Sequence, residues 1–220
     1  MSPTNSEFIA EVLRINDRYL TELVEGHDVC PFARGARTGR AVTRRVLLDE
    51  TPDPASGLAA ISELEAEEGL AVALLIYPRL GLPPEGFERF VSELRARDQA
   101  RRPPPFAMAM FHPDGDYGAE SPRRLVMFFR RAPDPTIQLV RFSVLDAVKG
   151  NSPIDGKYLF EFSAQGLAEL ERRAKEVSVS EQIARDNFAT AGREGIPRLQ
   201  AILDDIRADR DRSYARFEKR

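Results

Sequence analysis

Two hydrophobic patterns alternate along the chain: segments with an apolar residue every third or fourth position, and short continuous apolar runs bounded by proline and glycine. The first segment is helical in period. Phe8, Val12, Ile15, Tyr19 and Leu23 form one stripe, widened by Ile9, Leu13, Leu20 and Val24. Thr4 and Glu7 stand ahead of it at capping-box spacing, and Gly26 predicts a stop in the left-handed conformation that glycine tolerates. Residues 41–48 read as a strand with Val42, Val46 and Leu48 on one face. Asp53-Pro54 then predicts an N-cap followed by a first-turn proline, opening a helix that carries Leu58, Ile61 and Leu64 as far as Gly69. The run 71–77 is apolar at every position, which suits a central strand covered on both faces.

Pro83-Pro84 opens a further helix with Phe87, Phe90, Val91 and Leu94, ended by the prolines at 103–105. Runs 106–111 and 125–129 both read as buried strands, separated by the turn formers Pro113, Asp114, Gly115, Asp116 and Gly118. Asp134-Pro135 repeats the cap-plus-proline signal and predicts a helix to about Val148, stopped by Gly150. The order implies some parallel pairing through helical crossovers, while the last two runs lie close enough for a hairpin. The expectation is an α/β or α+β fold: a small mixed sheet packed with helices. Residues 1–150 read as that domain.

Residues 151–220 read as a mainly helical extension. It holds one weak alternating strand at Tyr158, Phe160 and Phe162, then helices from near Ser163, Ser180 and Glu194. The last carries Ile196, Leu199, Ile202, Leu203 and Ile206, a stripe that needs cover from the first domain or from a second copy of the chain. Its charged end, 207–220, is expected to be solvated or frayed.

Composition narrows the function classes. With 32 basic and 35 acidic residues the formal charge is −3, so no chain-wide attraction to nucleic acid or anionic lipid is expected. No run approaches the roughly 18 apolar residues of a spanning helix, and no secretory pattern opens the chain. A single cysteine and no export signal fit a reducing cytoplasm. Glycine-rich phosphate loops, dinucleotide fingerprints and nucleophile-elbow serines are missing.

Candidate chemistry gathers at three places. Cys30, the sole cysteine, lies in His27-Asp28-Val29-Cys30-Pro31-Phe32-Ala33-Arg34. A thiol beside histidine and arginine ionises more readily, and only the thiolate is nucleophilic. His112 sits where an apolar run gives way to a Gly/Asp-rich loop and would serve as acid or base; hydrogen bonding to backbone is the alternative. Arg131, in Arg130-Arg131-Ala132-Pro133-Asp134-Pro135, stands at the expected start of a helix whose free amides, with the guanidinium, suit an anion; capping of those amides by Asp134 with no ligand is the commoner alternative. Arg141 falls two turns further on. His27, Cys30 and His112 offer at most three ligands to a metal ion, and no paired-cysteine or paired-histidine motif accompanies them.

Cys30-Pro31-Phe32-Ala33 after a helix, Phe111-His112-Pro113 after an apolar run, and Arg131-x-Pro133-x-Pro135 occur in the same order as in the DUF1415 family. The chain resembles that family, bacterial proteins of unknown function, over roughly residues 8–148. Cys30, His112, Arg131 and Arg141 match its pattern; Gln138 and Phe142 depart from it. The resemblance implies that Cys30 and His112 share a pocket and supplies no reaction. Three readings follow. One is a cytoplasmic enzyme with Cys30 as nucleophile and His112 as base, Arg34, Arg131 and Arg141 holding a small anionic substrate. Another is a non-catalytic binding or assembly module with a structural Cys30, associating through its C-terminal helix. The third is a metal-dependent enzyme with Cys30 and histidine ligands.

Overall fold

The computed structural model describes residues 4–29, 37, 41–101, 104–118, 120–144 and 179–217. Helix α1 (Asn5–Arg18) starts with the expected capping box: Thr4 accepts from the Glu7 amide, and the Glu7 carboxylate accepts from the Thr4 amide. It passes without a break into a π-helical segment, Tyr19–Glu25. Gly26 caps that segment in the right-handed region, and the left-handed residue is Asp28, at φ 51°. Glycine is needed at 26 for room instead: a Cβ there would lie 2.5 Å from the Glu22 carbonyl oxygen.

Strand β1 (Val42–Val46) is followed by α2 (Pro54–Glu65), capped by Asp53 through the Ala55 amide, and then by β2 (Val72–Ile76). Helix α3 (Pro84–Arg101) leads to β3 (Phe106–Phe111). Helix α4 (Pro122–Phe129), β4 (Thr136–Arg141), α5 (Val179–Glu194) and α6 (Ile196–Tyr214) complete the described elements, with a 3-10 turn at Ala215–Phe217. The strand order is β1-β2-β4-β3; β1 and β2 are parallel, and β4 runs antiparallel to both of its neighbours. The fold is α+β with a small mixed four-stranded sheet.

Alternation along β2 builds two cores. Ala73, Leu75 and Tyr77 face α2 and α3, together with Phe106, Met108, Ile137 and Leu139. Leu74 and Ile76 face α1, α4, α5 and α6. The apolar stripe of α6 is covered by the chain itself: Leu199, Leu203, Ile206 and Tyr214 join Phe8, Val12, Phe128 and Phe129 in that second core.

Two local expectations are corrected. Residues 125–129 are helix, not strand. Ser121 caps α4 by accepting from the Arg124 amide, Pro122 occupies its first turn, and Leu125, Val126, Phe128 and Phe129 bury at helical spacing. Residues 136–141 are strand, not helix. Ile137 and Leu139 bury on one face with the period of two that a strand requires, and the Asp134 carboxylate turns inward instead of capping amides. The charged end of α6 stays helical to Tyr214, which is buried, while Asp211, Arg212, Ala215 and Arg216 face solvent as expected; residues 218–220 lie outside the described residues. The expected strand at 158–162, the helix from Ser163 and the Gly150 stop lie outside the described residues.

Candidate functional site

Register places the ends of three strands and the start of the fourth on one edge of the sheet: Val46 pairs with Ile76, Ile76 with Thr136, and Thr136 with Phe111. His112 and the 130–135 segment therefore meet at that edge. The His112 amide donates to the Arg130 carbonyl at 3.0 Å, and Arg131 Nε donates to the Pro113 carbonyl at 3.2 Å. Arg141 sits at the opposite edge, opposite Phe106. Five residues of strand separate the two edges, about 17 Å.

Both ring nitrogens of His112 are engaged by backbone. Nδ1 accepts from the Asp114 amide at 3.1 Å, so the proton belongs on Nε2, which donates to the Leu82 carbonyl at 2.9 Å. The ring is buried and packs beside Phe87. Burial pulls its pKa below the ordinary histidine value, against the opposing pull of the Leu82 carbonyl and Asp114. This neutral imidazole holds the 112–115 turn to the segment before α3.

Arg131 is half-buried. Its guanidinium lies over the rings of Tyr117 (5.4 Å) and Phe128 (5.8 Å), and Nη1 donates to Gln200 Oε1 at 2.6 Å. Among the described residues no carboxylate pairs with it. It lines a shallow cleft with Pro113, Ala132, Pro133 and, across from them, Leu203, Asp204, Ile206 and Arg207 of α6. Arg207 pairs with Asp114 and holds that carboxyl below its usual range. Gln200, Asp204 and Arg207 were not legible as site residues, although their 4-and-3 spacing put them on one face of the C-terminal helix.

Just behind the cleft, Asp134 is fully buried. Oδ1 accepts from Arg210 Nε and Oδ2 from the Tyr214 hydroxyl, both at 2.8 Å. Burial pushes the Asp134 carboxyl up, while Asp134 raises Arg210. A donor on each oxygen is the geometry of a carboxylate, so we read the pair as ionised. Arg130, half-buried, lies over Phe111 at 5.7 Å, and desolvation lowers its pKa to about 10, leaving it charged at neutral pH.

Arg141 is occupied at its own edge. Its guanidinium donates to the carbonyls of Leu64, Glu65, Glu67 and Leu70, closing the C-terminal end of α2, and lies over Phe106 at 4.9 Å. Cys30 and Arg34 lie outside the described residues. The chain on either side of them is anchored: Val29 is buried in the second core, and Arg37 pairs with Glu25 at 2.6 Å. His27 faces Glu194, Nδ1 to Oε2 at 3.9 Å. Among the described residues no group of three histidine, cysteine or acidic side chains is placed to hold a metal ion, and no helix is long and apolar enough to cross a membrane.

No curated protein and no solved structure matches this chain. A family model described as a protein of unknown function (DUF1415) does match, over residues 11–174, which takes in the described sheet with α2 to α4 and the second half of α1, and stops short of α5 and α6. On that match, the chain belongs to the DUF1415 family.

Proposed function

We propose that the protein binds a small anionic ligand, a carboxylate or phosphate group, in the cleft between the His112-Pro113-Asp114 turn and α6, with Arg131 as its anchor. One observation carries this reading. The Arg131 guanidinium is held in place by neutral acceptors and two aromatic faces, and no carboxylate of the described residues is in ion-pair contact with it; Asp114 feels its charge only from beyond that distance. A guanidinium fixed this way offers its remaining donors to a planar or tetrahedral anion at little further cost in order. Across the cleft the Arg207 charge is balanced by Asp114, so Arg131 is the cation that anchors the ligand, and Leu203, Ile206, Ala132 and Pro133 supply apolar lining.

Binding is favoured over thiol–imidazole catalysis because His112 has both nitrogens committed to backbone and a lowered pKa. In this reading His112 shapes the loop, Arg141 serves α2, and Cys30 has no assigned chemistry. The lone cysteine fits the cytoplasm as its compartment.

The test is calorimetric titration of the full chain with inorganic phosphate and, separately, acetate. Saturable binding of at least one is expected, and Arg131→Leu, which keeps packing against Tyr117 and Phe128, is expected to abolish it. Unchanged binding in that variant would remove the proposal.

A further inference from the structure

We infer that Gln200 is an internal placeholder for the ligand: its side-chain oxygen occupies on Arg131 the position that an oxygen of the bound anion takes. This rests on Arg131 being the anchor of an anion site. The Gln200 amide is oriented from both ends. Nε2 donates to Asp204 Oδ1 at 2.6 Å, which turns Oε1 toward Arg131 Nη1 at 2.6 Å. Nε of Arg131 is committed to the Pro113 carbonyl. The edge of the guanidinium left to bind an anion through two nitrogens is its terminal one, and Gln200 caps half of it.

Gln200 is half-buried on the first turns of α6, one turn before the cleft residues Leu203 and Asp204. Its side chain can rotate away without disturbing Leu199 or Leu203, which carry the helix packing. An incoming carboxylate or phosphate replaces a neutral acceptor by a charged one, and the displaced amide keeps its bond to Asp204. The device sets a threshold: weakly basic or neutral oxygen ligands cannot outcompete the resident amide, whereas anions can. The site thereby selects charge over shape.

The experiment measures phosphate and acetate affinity in the wild-type chain, Gln200→Ala, Gln200→Glu and Arg131→Leu. Removing the placeholder in Gln200→Ala is expected to tighten binding about tenfold, the worth of one hydrogen bond to a charged group. Gln200→Glu places a permanent carboxylate on Arg131 and is expected to weaken binding at least about tenfold. In the wild-type chain, phosphate is expected to shift the Gln200 side-chain amide resonances, a response absent in Arg131→Leu. Wild-type binding that needs Arg131 but is unchanged or weaker in Gln200→Ala overturns the placeholder alone. Binding indifferent to Arg131 overturns the anchor, and the placeholder with it.

Discussion

Arg210→Ala tests how firmly α6 is held. The substitution leaves the Asp134 carboxylate buried with only the Tyr214 hydroxyl as donor. Removing one partner of a buried ion pair costs about 3–5 kcal/mol, because the remaining charge is stranded. Arg210 is itself 24% exposed, so water reaches part of the site and the low end, about 3 kcal/mol, is expected. Tyr214→Phe removes the other donor but keeps the ring against Phe8, 4.9 Å away, and is expected to cost about 1.5 kcal/mol. Asp134→Leu combined with Arg210→Met removes both charges and is expected to fall within about 1 kcal/mol of wild type. Equilibrium urea unfolding followed by far-ultraviolet circular dichroism reads all three. At a slope near 2–3 kcal/mol/M the Arg210→Ala midpoint drops by about 1 M. A loss below about 1 kcal/mol for Arg210→Ala would refute the stranded-charge reasoning and mean that the Asp134 carboxyl is neutral in the folded chain.

Three more expectations are directly measurable. Arg14 and Arg18 hold the Asp209 carboxyl down to about 2 from an ordinary 3.8, so its stabilising share is complete above pH 3.8 and disappears as pH falls through about 2. Asp209→Asn should therefore lower neutral-pH stability by about 1–2 kcal/mol and flatten the acid limb of a stability–pH curve, and an unaltered limb would exclude the ion-pair network as its source. His112 has a folded pKa below 6.5, so the unfolded chain takes up its proton first and stability declines as pH drops below 6.5; His112→Gln should remove that slope while lowering stability overall, as chemical denaturation at pH 7 and pH 5 would reveal. Gly26→Ala drives a Cβ against the Glu22 carbonyl and should cost roughly 1–3 kcal/mol by thermal or urea unfolding, with a neutral result showing that the π-helical segment relaxes to accommodate it.

The helix starts at Thr4 and Asp53 were legible because each cap and its amide lie within three residues of one another. Thr4 and Glu7 close a capping box within four residues, and Asp53 caps α2 through an amide two residues away. The unbroken apolar run at 71–77 became the strand with both faces buried, because only an interior strand has no polar side. Asp134-Pro135 shows the limit. It carries the same two-residue signal as Asp53-Pro54, yet its carboxylate is claimed by Arg210 and Tyr214, 76 and 80 residues downstream. No local rule contains those partners. The run 125–129 failed for another reason: five apolar residues fit a strand or a short buried helix equally, and the deciding cue was Ser121-Pro122 just upstream. The switch to π-helix at Tyr19 leaves the apolar stripe almost unchanged and has no such cue. At the site, Arg131 stood out through its motif, but the geometry expected for it, a helix N-terminus, is a strand entry. Gln200 looked like one polar residue among many on an amphipathic helix, and only the folding of α6 over the Pro113 turn gives it a partner.

The position of β4 governs the order in which this protein can be assembled. Among the described residues it is the last strand in sequence, yet it lies between two earlier ones, hydrogen-bonded to β2 on one side and β3 on the other. While the ribosome is still adding residues up to 135, those two strands lack the neighbour they share, and each presents an open ladder to its surroundings. Completion of the sheet waits for six residues, 136–141, to slot into the vacancy. A chain that ends before that point leaves both ladders open at once, and unpaired strand edges of this kind are templates for pairing with other chains.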